Sequence, residues 1–200
     1  MSPVKSSKDE TIRLFKSNFF EFFTRVHWSV PLVLFVPLVG YCLYAAAVNP
    51  KSGWETLLIG LGVGAFSWSL LEYFLHRFVF HFKPRGKRFQ KFFYLIHEVH
   101  HEYPQDSFRL VMPPVESIPL AILFWFVLRV LIPDPFFYPF FAGLVLGYLS
   151  YDMTHYAVHH LPMRGKLGNF LKHHHLKHHF KNEKKGYGVS SPFWDWVFHT

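Results

Sequence analysis

The sequence predicts an all-α, membrane-embedded fold, and three observations predict it. Four long apolar runs divide the 200 residues, no stretch alternates as a strand would, and the basic residues gather in the segments between runs. The expected architecture is four transmembrane helices in two hairpins, with a cytosolic helical cap that bears a histidine-rich dimetal site. Residues 1–27 are expected to be an amphipathic N-terminal segment and residues 28–200 one membrane-embedded domain.

The composition agrees with this class. Half of the residues are hydrophobic, 20% are aromatic and only 17% are charged, below the ~25% of an average soluble domain. Phe occurs 25 times. Ser29 to Asn49 is a run of 21 residues without a charge, long enough to span hydrocarbon, with Pro31 and Pro37 expected to kink it. Thr56 to Leu71 is a second uncharged run, extended by Glu72, His76, Arg77 and His81. Ser117 to Leu128 and Pro135 to Tyr151 are the third and fourth. The links Pro50 to Glu55 and Pro133 to Asp134 are short, which predicts antiparallel neighbours within each pair. The run from Trp28 lacks a small-residue cleavage site and is expected to be an anchor.

The formal net charge is +8 with His neutral. Residues 1–27, 77–109 and 164–185 hold 19 of the 21 Lys and Arg, and the antiparallel pairing places all three segments on one side. That asymmetry is a positive-inside signal. It predicts that both termini and the histidine clusters are cytoplasmic, in a bacterial inner membrane or the endoplasmic reticulum. It also accounts for the basic charge without nucleic acid. Cys42 is the only cysteine, so no intrachain disulfide forms and cysteine-rich zinc motifs are excluded.

Histidine is the outlying residue type: 15 are present, and all but His27 lie beyond residue 75. They form four clusters: His76 and His81; His97, His100 and His101; His155, His159 and His160; and His173, His174, His175, His178 and His179. Residues three and four apart share a helical face, so each of the last three clusters can direct two or three imidazoles to one point. His76 and His81 are five apart, ~140° round an ideal helix. They require either a distorted or terminating turn, or different metals. Such a set exceeds the four ligands of a structural zinc site and suits two metals with nitrogen ligands and an open position. His160, His173 and His174 are expected to be bystanders or to support the ligands. His27 and His199 are assigned no role. Glu98 lies ~100° from His97 round the helix and is expected to face outward, which leaves an all-nitrogen site. Tyr151 and Asp152 share a face with His155, where they would orient it or contact substrate, or form a polar pair at the bilayer edge.

These residues resemble the fatty acid hydroxylase/sterol desaturase superfamily of membrane di-iron enzymes, and within it the fatty acid 2-hydroxylases. The resemblance runs in order from about residue 55 to residue 200. Its carriers are His76 to His81, His97 to His101, Pro104 to Pro114, Tyr151 to His159, His173 to Phe180 and the tail Gly186 to Thr200. It implies metal ligation by His76, His81, His97, His100, His101, His155, His159, His175, His178 and His179, and roles beside the substrate for Tyr151 and Asp152. It implies two iron ions, replaceable by zinc on purification, with O2 as co-substrate and a membrane lipid acyl chain as substrate. Many eukaryotic members carry an N-terminal cytochrome b5 domain. Residues 1–27 are too short for one and no haem-binding His-Pro-Gly-Gly is present, so a separate electron donor, cytochrome b5-like or ferredoxin, and its reductase are expected. The acyl chain is expected to enter from the bilayer past Phe78 to Phe82 and Phe92 to Leu95. Two other readings use the same residues: oxidation of a sterol, carotenoid or alkyl ether, and a zinc-binding membrane protein without catalysis.

Overall fold

In the computed structural model, which describes residues 4–200, the described residues form helices and loops and no strand. The helices are α1 (Asn18–Phe22), α2 (Val30–Ala47), α3 (Trp54–Phe74), α4 (Lys87–Phe93), α5 (Val99–Glu102), α6 (Pro114–Leu131), α7 (Phe137–His160), α8 (Gly165–Phe180) and α9 (Phe193–Phe198). π-helical turns, Leu75–Phe80 and Tyr94–Glu98, continue α3 and join α4 to α5.

Three helical stretches are long and apolar enough to cross a membrane: Val30–Ala47, Trp54–Phe80 and Pro114–Leu131. Their outward faces carry large uncovered apolar side chains, among them Val33 and Tyr44 on α2, Leu58 and Phe66 on α3, and Phe126 and Val130 on α6. In water such surfaces would be a liability; hydrocarbon is the solvent they fit. The fourth expected run behaves differently. Its helix, α7, is the central element and buries residues on every side, from Phe137 and Phe141 to Val158 and His159. Four spans were expected, and three helices meet the requirement by length and composition.

The second expected pair is found, with Trp125 of α6 packed on Phe137 and Phe141 of α7, but the first hairpin departs from expectation. α3 packs along α7 and α2 packs against α7 as well, whereas α2 and α3 make little direct contact despite their short link. Small residues explain why α3 prefers α7. A Cβ at Gly64 would collide with the backbone of Phe140 and Leu144, and one at Gly143 with the backbone of Leu61. This is close backbone approach of the kind that drives helix association in lipid, where no hydrophobic effect separates one apolar surface from another. Of the two prolines expected to bend α2, Pro31 lies in the first turn, where its missing N–H costs nothing, and only Pro37 is interior.

The N-terminal segment is less helical than its pattern suggests: among residues 4–27 only α1 is helical. It lies instead as a strap across the loop that follows α5. Lys5 bonds Glu102 through both its backbone N–H (2.8 Å) and its ammonium group (2.7 Å), and Val26 N–H donates to the Phe108 carbonyl at 2.8 Å.

Gly143→Leu is expected to force α3 from α7 and to cost about 1–3 kcal/mol or more. The thermal unfolding midpoint in detergent should fall accordingly. Gly62→Ala, with open space around its Cα, should leave that midpoint unchanged.

Candidate metal centre

Four helical segments deliver ten imidazoles to one place, in two groups of five. The first group is His76, His81, His97, His101 and His178; the second is His100, His155, His159, His175 and His179. All are buried except His81, which is half-buried. The helical clusters do not each serve one point, as the spacing alone suggested. The cluster at 97–101 sends His97 and His101 to the first group and His100 to the second. The cluster at 175–179 sends His175 and His179 to the second and His178 to the first. A pair four apart stays on one face, and the third member, one or three residues away, faces the neighbouring group.

His76 and His81 join the same group because the helix between them is a π turn. The His81 N–H bonds the His76 carbonyl at 3.3 Å, five residues back, and this wider turn stacks residues that an α-helix would splay apart. Their ring centroids are 5.0 Å apart. The distorted turn is thus the arrangement found, and separate sites for the pair are not.

Within each group the Nε2 atoms face one another. The separations are 3.1 Å for His76–His97, 3.0 Å for His97–His101 and 3.0 Å for His81–His178. In the second group they are 2.9 Å for His100–His155, 3.0 Å for His100–His179, 3.0 Å for His159–His175 and 3.0 Å for His175–His179. Backbone carbonyls fix the orientation of three rings. Nδ1–H donates to the Tyr187 carbonyl from His76 (2.5 Å), to the Leu110 carbonyl from His155 (3.0 Å) and to the Lys185 carbonyl from His178 (2.7 Å). With the proton on Nδ1, the inward Nε2 carries a bare lone pair. Such an inward lone pair is the form of the ring that binds a cation.

The spacing also fits a metal. Two nitrogens each ~2.1 Å from one ion and at right angles are about 3.0 Å apart, whereas tetrahedral ligands would be about 3.4 Å apart. Five converging nitrogens at this spacing suit five- or six-coordinate ions, not a closed tetrahedral zinc site. Electrostatics prepares the ligands as well. Burial first, then repulsion from neighbouring imidazoles, holds His97, His100, His101, His175 and His179 well below the usual histidine range. Burial pushes His178 down to about 4 and His81 to about 3. All are therefore neutral near pH 7, the form that binds metal.

A cavity of about 880 Å³ opens against these groups. His97, His100 and His155 reach it, as do Tyr151 and Asp152, and its remaining wall is largely apolar. Its volume is near the upper end of the ~300–1,000 Å³ of ligand pockets. Tyr151 stacks on His155 with centroids 5.8 Å apart. Asp152 is fully buried and accepts the Met112 N–H at 3.3 Å, which holds the loop whose Leu110 carbonyl orients His155. Of the aromatic route expected for a lipid chain, Phe80, Phe92 and Leu95 line the cavity while Phe78 and Phe82 do not.

The family model described as fatty acid hydroxylase matches residues 61–200. The chain belongs to the fatty acid hydroxylase family. It is 40% identical over 191 residues to the dihydroceramide fatty acyl 2-hydroxylase FAH2 of Arabidopsis thaliana, covering 94% of this chain and 79% of that one. It is 38% identical to the fatty acid 2-hydroxylase of Homo sapiens, again over 94% of this chain but 56% of that protein. A solved structure described as full-length scs7p, with only its hydroxylase domain visible, superposes with a TM-score of 0.86 at 39% identity. That match covers 92% of this chain and 69% of the other.

Sequence reasoning missed the residues that support the hydroxylase's histidines. Asp195 is buried and accepts the Tyr187 and Gly188 N–H groups, both at 2.8 Å, and the Thr200 hydroxyl at 3.0 Å. It thereby shapes the loop whose Tyr187 carbonyl orients His76. Glu72 holds the next residues, accepting from Val189 N–H at 2.7 Å and Ser190 N–H at 2.9 Å. A carboxylate at the end of an apolar run was the available signal for Glu72. No pattern marks a backbone carbonyl. The residues left aside behave unequally: His174 bonds Asp195 at 3.2 Å, His160 stacks on Tyr156, and His27, His173 and His199 are exposed. Glu98 belongs to neither histidine group.

Asp195→Ala should release the 186–189 loop and the His76 ring with it. Metal affinity is expected to fall about 10–100-fold, the usual effect of losing a ligand's supporting partner. Competition with a calibrated chelator measures this.

Proposed function

We propose that this chain hydroxylates the acyl chain of a membrane lipid with O2, at carbon 2 and on a sphingolipid or ceramide, using two iron ions held by the ten histidines. The observation that carries this reading is the placement of two groups of five facing imidazoles at the wall of an apolar cavity. The relatives support the substrate: those at about 40% identity are named for 2-hydroxylation of fatty acids or of the acyl chain of dihydroceramide.

When bound, the metal pair supplies the activation of O2 that an unactivated C–H bond requires. The chain's own contribution is placement. His76, His81, His97, His101 and His178 would hold one ion, and His100, His155, His159, His175 and His179 the other. Tyr151, through its ring on His155, and Asp152, through the Met112 N–H, fix the corner where ligands and cavity meet. Both border the space a substrate would fill, and they position the reacting carbons there. The apolar wall keeps water from the site.

Reduction of O2 with insertion of one oxygen atom needs two electrons that a saturated chain does not provide. A separate donor of the cytochrome b5 or ferredoxin type, with its reductase, is proposed to deliver them. The segregation of Lys and Arg supports placing both termini and the histidine groups on the cytoplasmic face. A cysteine introduced at Ser7 should then react with an impermeant thiol reagent only from the cytoplasmic side. Reaction from the opposite side would reverse the assignment.

Expression of the chain in a host lacking 2-hydroxy lipids, followed by mass spectrometry of lipid extracts, should reveal 2-hydroxy acyl chains. His100→Ala and His178→Ala, one from each group, should each abolish the product while the protein still inserts in the membrane. Product that persists in both variants would remove the histidine groups from the reaction. Oxidised sterol or alkyl ether without hydroxy acid would replace the substrate.

A further inference from the structure

Part of the cavity wall comes from outside the segment that matches the family model. Phe15, Phe19, Phe20 and Phe23 of the N-terminal strap line the same space as His97, His100 and His155. These rings are poorly covered by the protein itself: Phe19 is 67% exposed and Phe20 57%. They pack against one another, with Phe19 and Phe23 centroids 5.2 Å apart and Phe15 and Phe20 5.9 Å apart, and Lys91 lies over the Phe15 ring.

The backbone that presents them is held tightly. Glu21 lies between Phe20 and Phe22 yet is buried, accepting the Leu14 and Phe15 N–H groups at 2.9 Å each. It pairs with Arg25 at 2.8 Å and with Arg109 at 3.0 Å. Arg109 also pairs with Asp106 at 3.0 Å, and Asp106 accepts the Thr11 hydroxyl at 2.8 Å. Buried charges persist only when paired, and breaking such a set is costly. The network locks the strap to the loop of residues 103–113, the loop that bonds His155 and Asp152. A rigid scaffold that offers uncovered aromatic rings to a cavity positions those rings for an apolar ligand.

We propose that Phe15, Phe19, Phe20 and Phe23 are specificity-determining residues. They grip the acyl chain beyond its reacting carbons and so set which chain lengths place carbon 2 at the histidine groups. This rests on the reading of the cavity as the acyl site, and it extends that site to a segment outside the residues that the family model matches.

The test has two arms, both on the full chain in phosphatidylcholine nanodiscs. In the first, a ceramide with a diazirine in its acyl chain is photolysed and the labelled peptides are mapped. Labelling should fall within residues 15–23 and be suppressed by excess unlabelled ceramide. In the second, the double variant Phe19→Ala/Phe20→Ala is compared with the unaltered protein for the ratio of long-chain to short-chain 2-hydroxy products. These side chains are exposed, so folding should survive. The ratio should shift by about 10-fold or more, the lower end of the scale by which one methylene is discriminated in an apolar pocket, with metal content and thermal midpoint unchanged. An unchanged ratio would overturn the proposal. So would labelling of the strap by a diazirine phosphatidylcholine that excess ceramide does not suppress, which would make the strap an anchor in the bilayer surface. If no lipid is hydroxylated but ceramide-suppressible labelling of the strap persists, the hydroxylase reading fails and the strap remains a ligand wall.

Discussion

Ten imidazole nitrogens turned toward one another, in two groups of five with neighbours about 3 Å apart, are the constraint on which the rest of the structure depends. Protonated rings would oppose full charges in a buried site, so the groups suit neutral imidazoles that share a cation. The helices must be stiff enough to hold the rings in place, and the surroundings must turn lone pairs inward. Both requirements are visible in the fold. α7 is gripped along its length by α3 through glycine contacts, and three carbonyls from two loops take the outward N–H of His76, His155 and His178.

The same constraint explains the irregular helices. An α-helix cannot place residues five apart on one face, and the first histidine pair is five apart. The turn Leu75–Phe80 widens to a π-helix at that point. The second π turn, Tyr94–Glu98, contains His97 and leads directly into His100 and His101, the three histidines that are shared between groups. Buried carboxylates do comparable work at a distance. Glu72 and Asp195 each collect backbone N–H groups of the chain's last turns, so the tail is folded under the site instead of trailing from it.

Much of this was legible in the sequence because it rests on local periodicity. Three apolar runs gave helices of membrane length, and the i, i+3 and i+4 spacing of histidines marked the residues that meet. What was not legible depends on contacts between distant segments. The partition of His97, His100 and His101 between two groups is decided by where α7 and α8 stand, not by the helix that carries them. The preference of α3 for α7 over its sequence neighbour α2 follows from glycines at matching heights, which a hydropathy pattern does not weigh. The sequence marks the aromatic strap only as an amphipathic segment. Its anchoring by Glu21, Arg109 and Asp106 joins residues more than eighty positions apart. Carbonyl groups that orient the rings belong to Leu110, Lys185 and Tyr187, whose side chains say nothing about the role.

The most direct test of this account is the metal content and coordination of the protein purified without added chelator, by elemental analysis and X-ray absorption at the metal edge. Two ions per chain are predicted, each with about five nitrogen neighbours at ~2.1 Å and no sulfur. One ion or none, or a four-coordinate tetrahedral site, would contradict it.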